Sequence, residues 1–135
     1  MTVVSIVNPK EMGPPLSQYG QIARVRASEL VFISGQLATD LNGEIVGKGD
    51  FDAQMKQVFS NIEKGLKSVG ASFASVVQFT TYLVHSQDVA NFRRVRSELF
   101  PVMFPTLNFP PNTLLVIDRL VKEEFLIEIE TIAAL

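Results

Sequence analysis

The chain of 135 residues contains no cysteine, no tryptophan and a single histidine. Lack of cysteine excludes disulfides, thiolate nucleophiles and zinc–thiolate sites together. His85 alone cannot build a multi-histidine metal centre. A Ser-His-Asp hydrolase would have to run through it, yet it follows an apolar run in the polar turn HSQD, where a solvated histidine is the simpler reading. Charge is scarce too: Asp, Glu, Lys and Arg make up 19% of the chain and the net charge is −2. A nucleic-acid binder normally carries a basic excess, so that partner class is not expected. No segment approaches the ~20 apolar residues that cross a bilayer. The opening MTVVSIVNPK has neither a basic leader nor a long apolar core. The glycines of LNGEIVGKGD match neither dinucleotide-binding nor phosphate-loop spacing. The expectation is one cytoplasmic domain over residues 1–135, without metal, cofactor, nucleic-acid or membrane partner.

What is present is patterned. Hydrophobic residues form 47% of the chain, which excludes disorder and is high for a small monomer. Residues 1–18 carry three of the seven prolines and read as an extended N-terminal arm. QIARVR alternates apolar and charged residues as a half-exposed strand does, and ELVFISGQ follows closely enough to suggest a hairpin. TDLNGEIVGKGD is a loop. From Asp52, Met55, Val58, Phe59, Ile62, Leu66 and Val69 fall at helical spacing, with Asp50 or Asp52 as cap and Gly70 at the end. VVQFTTYLV is rich in β-branched and aromatic residues and reads as a central strand. DVANFRRVRSELF returns to helical spacing, and Pro101 is expected to stop it. Four prolines then crowd residues 101–111, and TLLVI and FLIEIETIA close the chain as a second hairpin.

The expected order is β-β-α-β-α-β-β, an α+β sandwich of one sheet with two helices on one face. Two helices cover only one face, so self-association is the natural way to hide the other. Among chemical groups, Glu128 and Glu130 point to one side of their strand about 7 Å apart, a spacing open to acid–base work or to plain solvation. Arg93 and Arg94 read as a solvated helix face. In FPPNTLLVIDRL, Asn112 opens an apolar run, where turn chemistry accounts for an amide.

Several stretches in register resemble the YjgF/RidA family: SGQLATD, GASFASVVQFTTYLV, the Phe-Pro ending the second helix, NFPPN and the terminal LIEIETIA. The likeness runs from about Tyr19 to Ala133. It implies a chorismate-mutase-like fold, a homotrimer with pockets between subunits, and cofactor-free hydrolysis of reactive enamines and imines. It also implies a set of pocket residues. Glu128 matches the glutamate that positions water, Gly35 the turn whose backbone lines the pocket, and Phe109 the loop phenylalanine. Tyr19 matches the pocket tyrosine, with Leu16 as the rival alignment.

The family's substrate-carboxylate arginine is absent, and its position is Asn112. A neutral amide replaces a bidentate cation, and charge-assisted bonds contribute ~1.5–3 kcal/mol against roughly 1 for neutral ones. A carboxylate-bearing imine is then held on the order of 10-fold less well. Leu114 stands where the family usually has cysteine, making the wall more apolar. Arg96 lies where many members carry asparagine, so cation and amide have either been exchanged or Arg96 is a salt-bridged surface residue. Two readings follow: an imine hydrolase with a non-standard small-molecule substrate, or a non-catalytic metabolite-binding or regulatory member. The endoribonuclease label attached to parts of the family fits the acidic balance poorly.

Overall fold

The computed structural model describes residues 1–135 and is an α+β fold of six strands and two helices. In chain order these are β1 (Val3–Val7), β2 (Ile22–Arg26), β3 (Leu30–Gln36), α1 (Phe51–Ser68), β4 (Val76–Leu83), α2 (Asp88–Met103), β5 (Asn112–Val116) and β6 (Ile127–Ala134). The α+β class and its two helices agree with the sequence, whereas the strand pairing differs in three ways.

The strands divide into two sheets, a β1–β2 pair and a four-stranded sheet of order β3-β6-β4-β5. The N-terminal arm is therefore not merely extended: Val3–Val7 runs antiparallel to β2, from Val3 opposite Arg26 to Val7 opposite Ile22. Nor do β2 and β3 form a hairpin. Tight hairpins need positive φ in the connection, and none of residues 27–29 has it. Instead the Ser28 and Glu29 N–H groups both donate to the Leu135 carbonyl at 2.9 Å, and β3 pairs with β6. The last two strands are not a hairpin either, because β5 lies parallel to β4 and β6 antiparallel to its other edge.

The helices form where apolar spacing and capping coincide. Asp50 caps α1 by accepting the Ala53 N–H at 3.0 Å, and Gly70 beyond its end takes φ +77°. Val69 lies outside the helix and is exposed. Pro101 does not stop α2. It falls in the last turn, where one missing donor matters little, and the Phe104 N–H still bonds the Phe100 carbonyl at 2.7 Å.

Both helices pack on one face of the larger sheet, with Met55, Phe59, Ile62, Phe92 and Phe100 against Phe79, Leu83, Ile127 and Ile129. Phe59, Phe79, Phe100 and Phe104 meet largely edge to face at 5–7 Å. Gln54 is wholly buried in α1 and bonded at both ends. Its Nε2 donates to the Gly47 and Glu124 carbonyls, and its Oε1 accepts the Leu126 N–H at 2.8 Å. It thereby fixes the loop that feeds β6. The opposite face has no covering element: Phe32 is 71% exposed and Leu30 and Leu115 about half so. No helix is long and apolar enough to cross a membrane.

Candidate functional site

Alternation along β6 turns Ile127, Ile129 and Thr131 toward the helices and leaves Glu128 and Glu130 on the bare face. Tyr82 of β4 lies opposite Glu128 in the ladder. On β3, Gly35 leaves room for the carboxyl group, because a Cβ there would lie 2.8 Å from Glu128 Cδ and 2.9 Å from its Cγ. The two line a cleft of about 470 Å³ with Ser34, Tyr82, Arg119 and Glu130. Glu128 is half-buried and Glu130 exposed. Burial, and secondarily the Glu130 charge, raise the Glu128 pKa above the ordinary carboxylate value. A carboxylate of raised pKa is a stronger base toward a water molecule held beside it.

A second cleft, of about 330 Å³, lies on the helix side and is lined by Ser17, Tyr19, Arg93, Arg96, Asn112 and Leu114 among others. Asn112 opens β5 beside Phe79, and its Oδ1 accepts the Thr81 hydroxyl at 2.8 Å. Its amide N–H groups are left for the cleft. The Tyr19 hydroxyl accepts the Leu16 N–H at 3.1 Å. Arg96 is only 3% exposed, on the buried stripe of α2 between Phe92 and Phe100. Its guanidinium carbon stands 4.9 Å and 5.8 Å from those ring centres. Nη2 donates to the Ser17 hydroxyl at 2.6 Å, and Nε is buried with no partner. No carboxylate pairs with it, so it is not a salt-bridged surface residue. Burial, then repulsion from Arg93, bring its pKa down to about 10, and it stays charged at neutral pH.

Comparison with known proteins decides the family. The family model described as Endoribonuclease L-PSP matches residues 11–135. A RutC family protein of Pyrococcus abyssi is 38% identical over 126 residues, covering 93% of this chain and 89% of that protein. The chain belongs to the YjgF/RidA family. The 3-aminoacrylate deaminase RutC of Acinetobacter baylyi is a more distant member, 31% identical over 128 residues and covering 95% of each chain. The crystal structure of the Rid-family protein YyfB from Yersinia pestis superposes with a TM-score of 0.88 at 31% identity, over 98% of both chains.

Within this family member, the residues singled out in the sequence fall into two groups. Gly35 and Glu128 share the cleft on the bare face. Tyr19, Arg96, Asn112 and Leu114 share the one on the helix side, and Leu16 lines it too, so both rival alignments of the tyrosine lead to one place. Phe109 lines neither cleft. Its ring packs 5.8 Å from Phe100 and 6.2 Å from Phe104, at the edge of the aromatic core. His85 is exposed in its turn, and no cluster of His, Asp and Glu side chains is arranged to hold a metal.

Sequence reasoning missed Tyr82, Arg119 and Ser17. Tyr82 was legible, since alternation in VVQFTTYLV puts it on the face opposite Phe79 and Thr81. Arg119 gave no local signal; backbone carbonyls of Leu120 and Val121 hold its side chain at the cleft rim. Ser17 meets Arg96 across 79 residues of sequence.

Proposed function

We propose that the protein is a cofactor-free enamine/imine hydrolase acting as a homotrimer, with each active site shared between two subunits. The carrying observation is Glu128: a half-buried carboxylate of raised pKa lies against Gly35 in an open cleft. The 31% identity to a 3-aminoacrylate deaminase supports the reaction class.

The chemistry needs one base and one water. The Glu128 carboxylate takes a proton from water as the water oxygen attacks the carbon of the protonated imine, giving a neutral carbinolamine. The resulting carboxylic acid returns a proton to the amine nitrogen. The C–N bond then breaks as the regenerated Glu128 carboxylate takes the hydroxyl proton; ammonia leaves, the carbon becomes a ketone, and Glu128 releases that proton to solvent. An enamine first gains a proton at its β-carbon to become the protonated imine.

Two features support the shared site. The bare face exposes Phe32, Leu30 and Leu115, an apolar surface that a second copy would cover. In addition, Glu128 and the Asn112–Arg96 cleft belong to opposite faces of one sheet, so a neighbouring subunit is needed to bring one of each together. The expected particle is near three times 14.9 kDa by light scattering. Release of ammonia or keto acid from imines made in situ by an amino-acid oxidase tests the reaction. A stable monomer at micromolar concentration, or no acceleration over buffer across a panel of imines, would refute the reading in favour of a non-catalytic binding protein. Asn112 in place of the family arginine is the observation that favours that second reading.

A further inference from the structure

We propose that Arg96, from helix α2, supplies the anion grip that Asn112 cannot, in a carboxylate-binding subsite whose unpaired polar groups are hydrogen-bond donors. The inference rests on the small-molecule reading above but not on turnover.

A buried guanidinium without a counter-charge is costly, and buried cations are normally paired. Arg96 has one neutral partner, Ser17, and an Nε–H with none. The surrounding groups are of one kind. Thr81 occupies the Asn112 acceptor oxygen, which leaves its amide N–H groups free. The Tyr19 oxygen already accepts from Leu16, which leaves its O–H to donate. Arg93 adds a second positive charge at the exposed edge of the same cleft, and no Asp or Glu lines it. A cleft with two arginines, a free amide, a free phenol and no acid is complementary to an anion.

A carboxylate fits better than a phosphate. Leu16, Val89 and Leu114, with the Tyr19 ring, make half of the lining apolar, which suits a planar anion attached to a small carbon skeleton. The guanidinium also lies close over the Phe92 ring, which limits the number of its N–H groups that can turn to the cleft. In this arrangement cation and amide have exchanged places relative to the family pattern, and the anion is held from the helix rather than from the start of β5.

The test uses the intact protein, with pyruvate as probe. Calorimetry measures affinity, and the ¹H–¹⁵N signal of the Arg96 side-chain Nε–H reports a change at the guanidinium, assigned by its loss in Arg96→Lys. Pyruvate is expected to shift that signal, and neutral pyruvamide is not. Arg96→Gln is expected to weaken pyruvate binding on the order of 10-fold or more, the loss of a charge-assisted contact, with Arg96→Lys in between. The exchanged pair Arg96→Asn with Asn112→Arg should recover most of the affinity, whereas Asn112→Arg alone crowds a third cation into the cleft and should not improve on wild type. An unmoved Nε–H signal at saturating pyruvate, or equal affinity in wild type and Arg96→Gln, overturns the proposal. Inorganic phosphate displacing pyruvate at equal concentration overturns the carboxylate assignment. Absence of imine hydrolysis with Arg96-dependent binding intact would refute the reaction and uphold the subsite; hydrolysis indifferent to Arg96 would do the reverse.

Discussion

Replacing Gly35 by alanine separates the position of Glu128 from the stability of the fold. Gly35 does not have the positive φ that only glycine tolerates easily, so the backbone accepts a side chain without strain. The new methyl would lie 2.8 Å from Glu128 Cδ, and ordinary contact begins at 3.4 Å. The carboxyl carbon must therefore retreat by about 0.6 Å, and its nearer oxygen, closer still, by more. The Glu128 side chain is free to swing into the cleft, so folding is little affected. The change in stability is expected to stay within ~1 kcal/mol, a few degrees in Tm. Catalysis is far less tolerant, since misplacing a reacting group by ~1 Å can cost on the order of 10²-fold in rate, or about 2.7 kcal/mol in the barrier. Gly65→Ala is the matched control. That glycine lies within α1, and its Cβ would meet nothing nearer than Ile33 Cδ1 at 3.6 Å. It should gain up to ~1 kcal/mol in stability and leave activity unchanged. The assay is steady-state keto-acid release from in-situ imines, alongside thermal melts of both variants. If Gly35→Ala kept kcat/KM within twofold of wild type, the Glu128 carboxylate would have no positional role.

The remaining predictions concern the same carboxylate and its supports. Glu128 must be ionised to act as base, so kcat/KM is expected to fall as pH drops through its raised pKa; Glu130→Gln removes a like charge and should move that acid limb to lower pH. Glu128→Gln should abolish hydrolysis and leave the oligomer intact by light scattering, whereas Glu130→Gln should reduce turnover much less. Because burial raises the Glu128 pKa on folding, its contribution to stability is full below the unfolded carboxylate pKa and lost as pH rises through the folded value. Glu128→Gln should therefore melt higher than wild type at pH 7.5, with the difference vanishing below about pH 4. Gln54→Leu strands two carbonyls and the Leu126 N–H in the interior, and should destabilise the protein by about 2–4 kcal/mol in denaturant unfolding.

The sequence made the helices and β4 legible because their signals are local: Asp50, Gly70 and the i, i+3, i+4 apolar spacing act within a few turns. Strand pairing was not local. β3 and β6 are neighbours across about a hundred residues, and the short connection after β2 resembled a turn although no residue in it takes positive φ. The site was legible to the same extent. Alternation put Glu128 and Glu130 on one face, and the oddity of Asn112 was visible in its own stretch. Arg96 sits four residues from both Phe92 and Phe100, on the apolar stripe of α2, yet the sequence left it open between an exchanged pocket cation and a salt-bridged surface residue. Its burial follows from Ser17 and the aromatic rings around it, which only the folded chain assembles.

The sheet order β3-β6-β4-β5 has a consequence for synthesis. β6, the last of the six strands to be made, lies between β3 and β4. Until it emerges, β3 has no partner strand and β4 has only β5, with the β4 edge and the apolar residues of β3 open to other nascent chains. At ~5–20 residues per second, the roughly one hundred residues from β3 to the end of β6 take about 5–20 s to add. Throughout that interval the growing sheet lacks the native contacts that β6 makes to β3 and β4. A ribosome-bound chain halted before Ile127 is expected to be protease-sensitive throughout β3, and one extended past Ala134 and clear of the exit tunnel to be protected there.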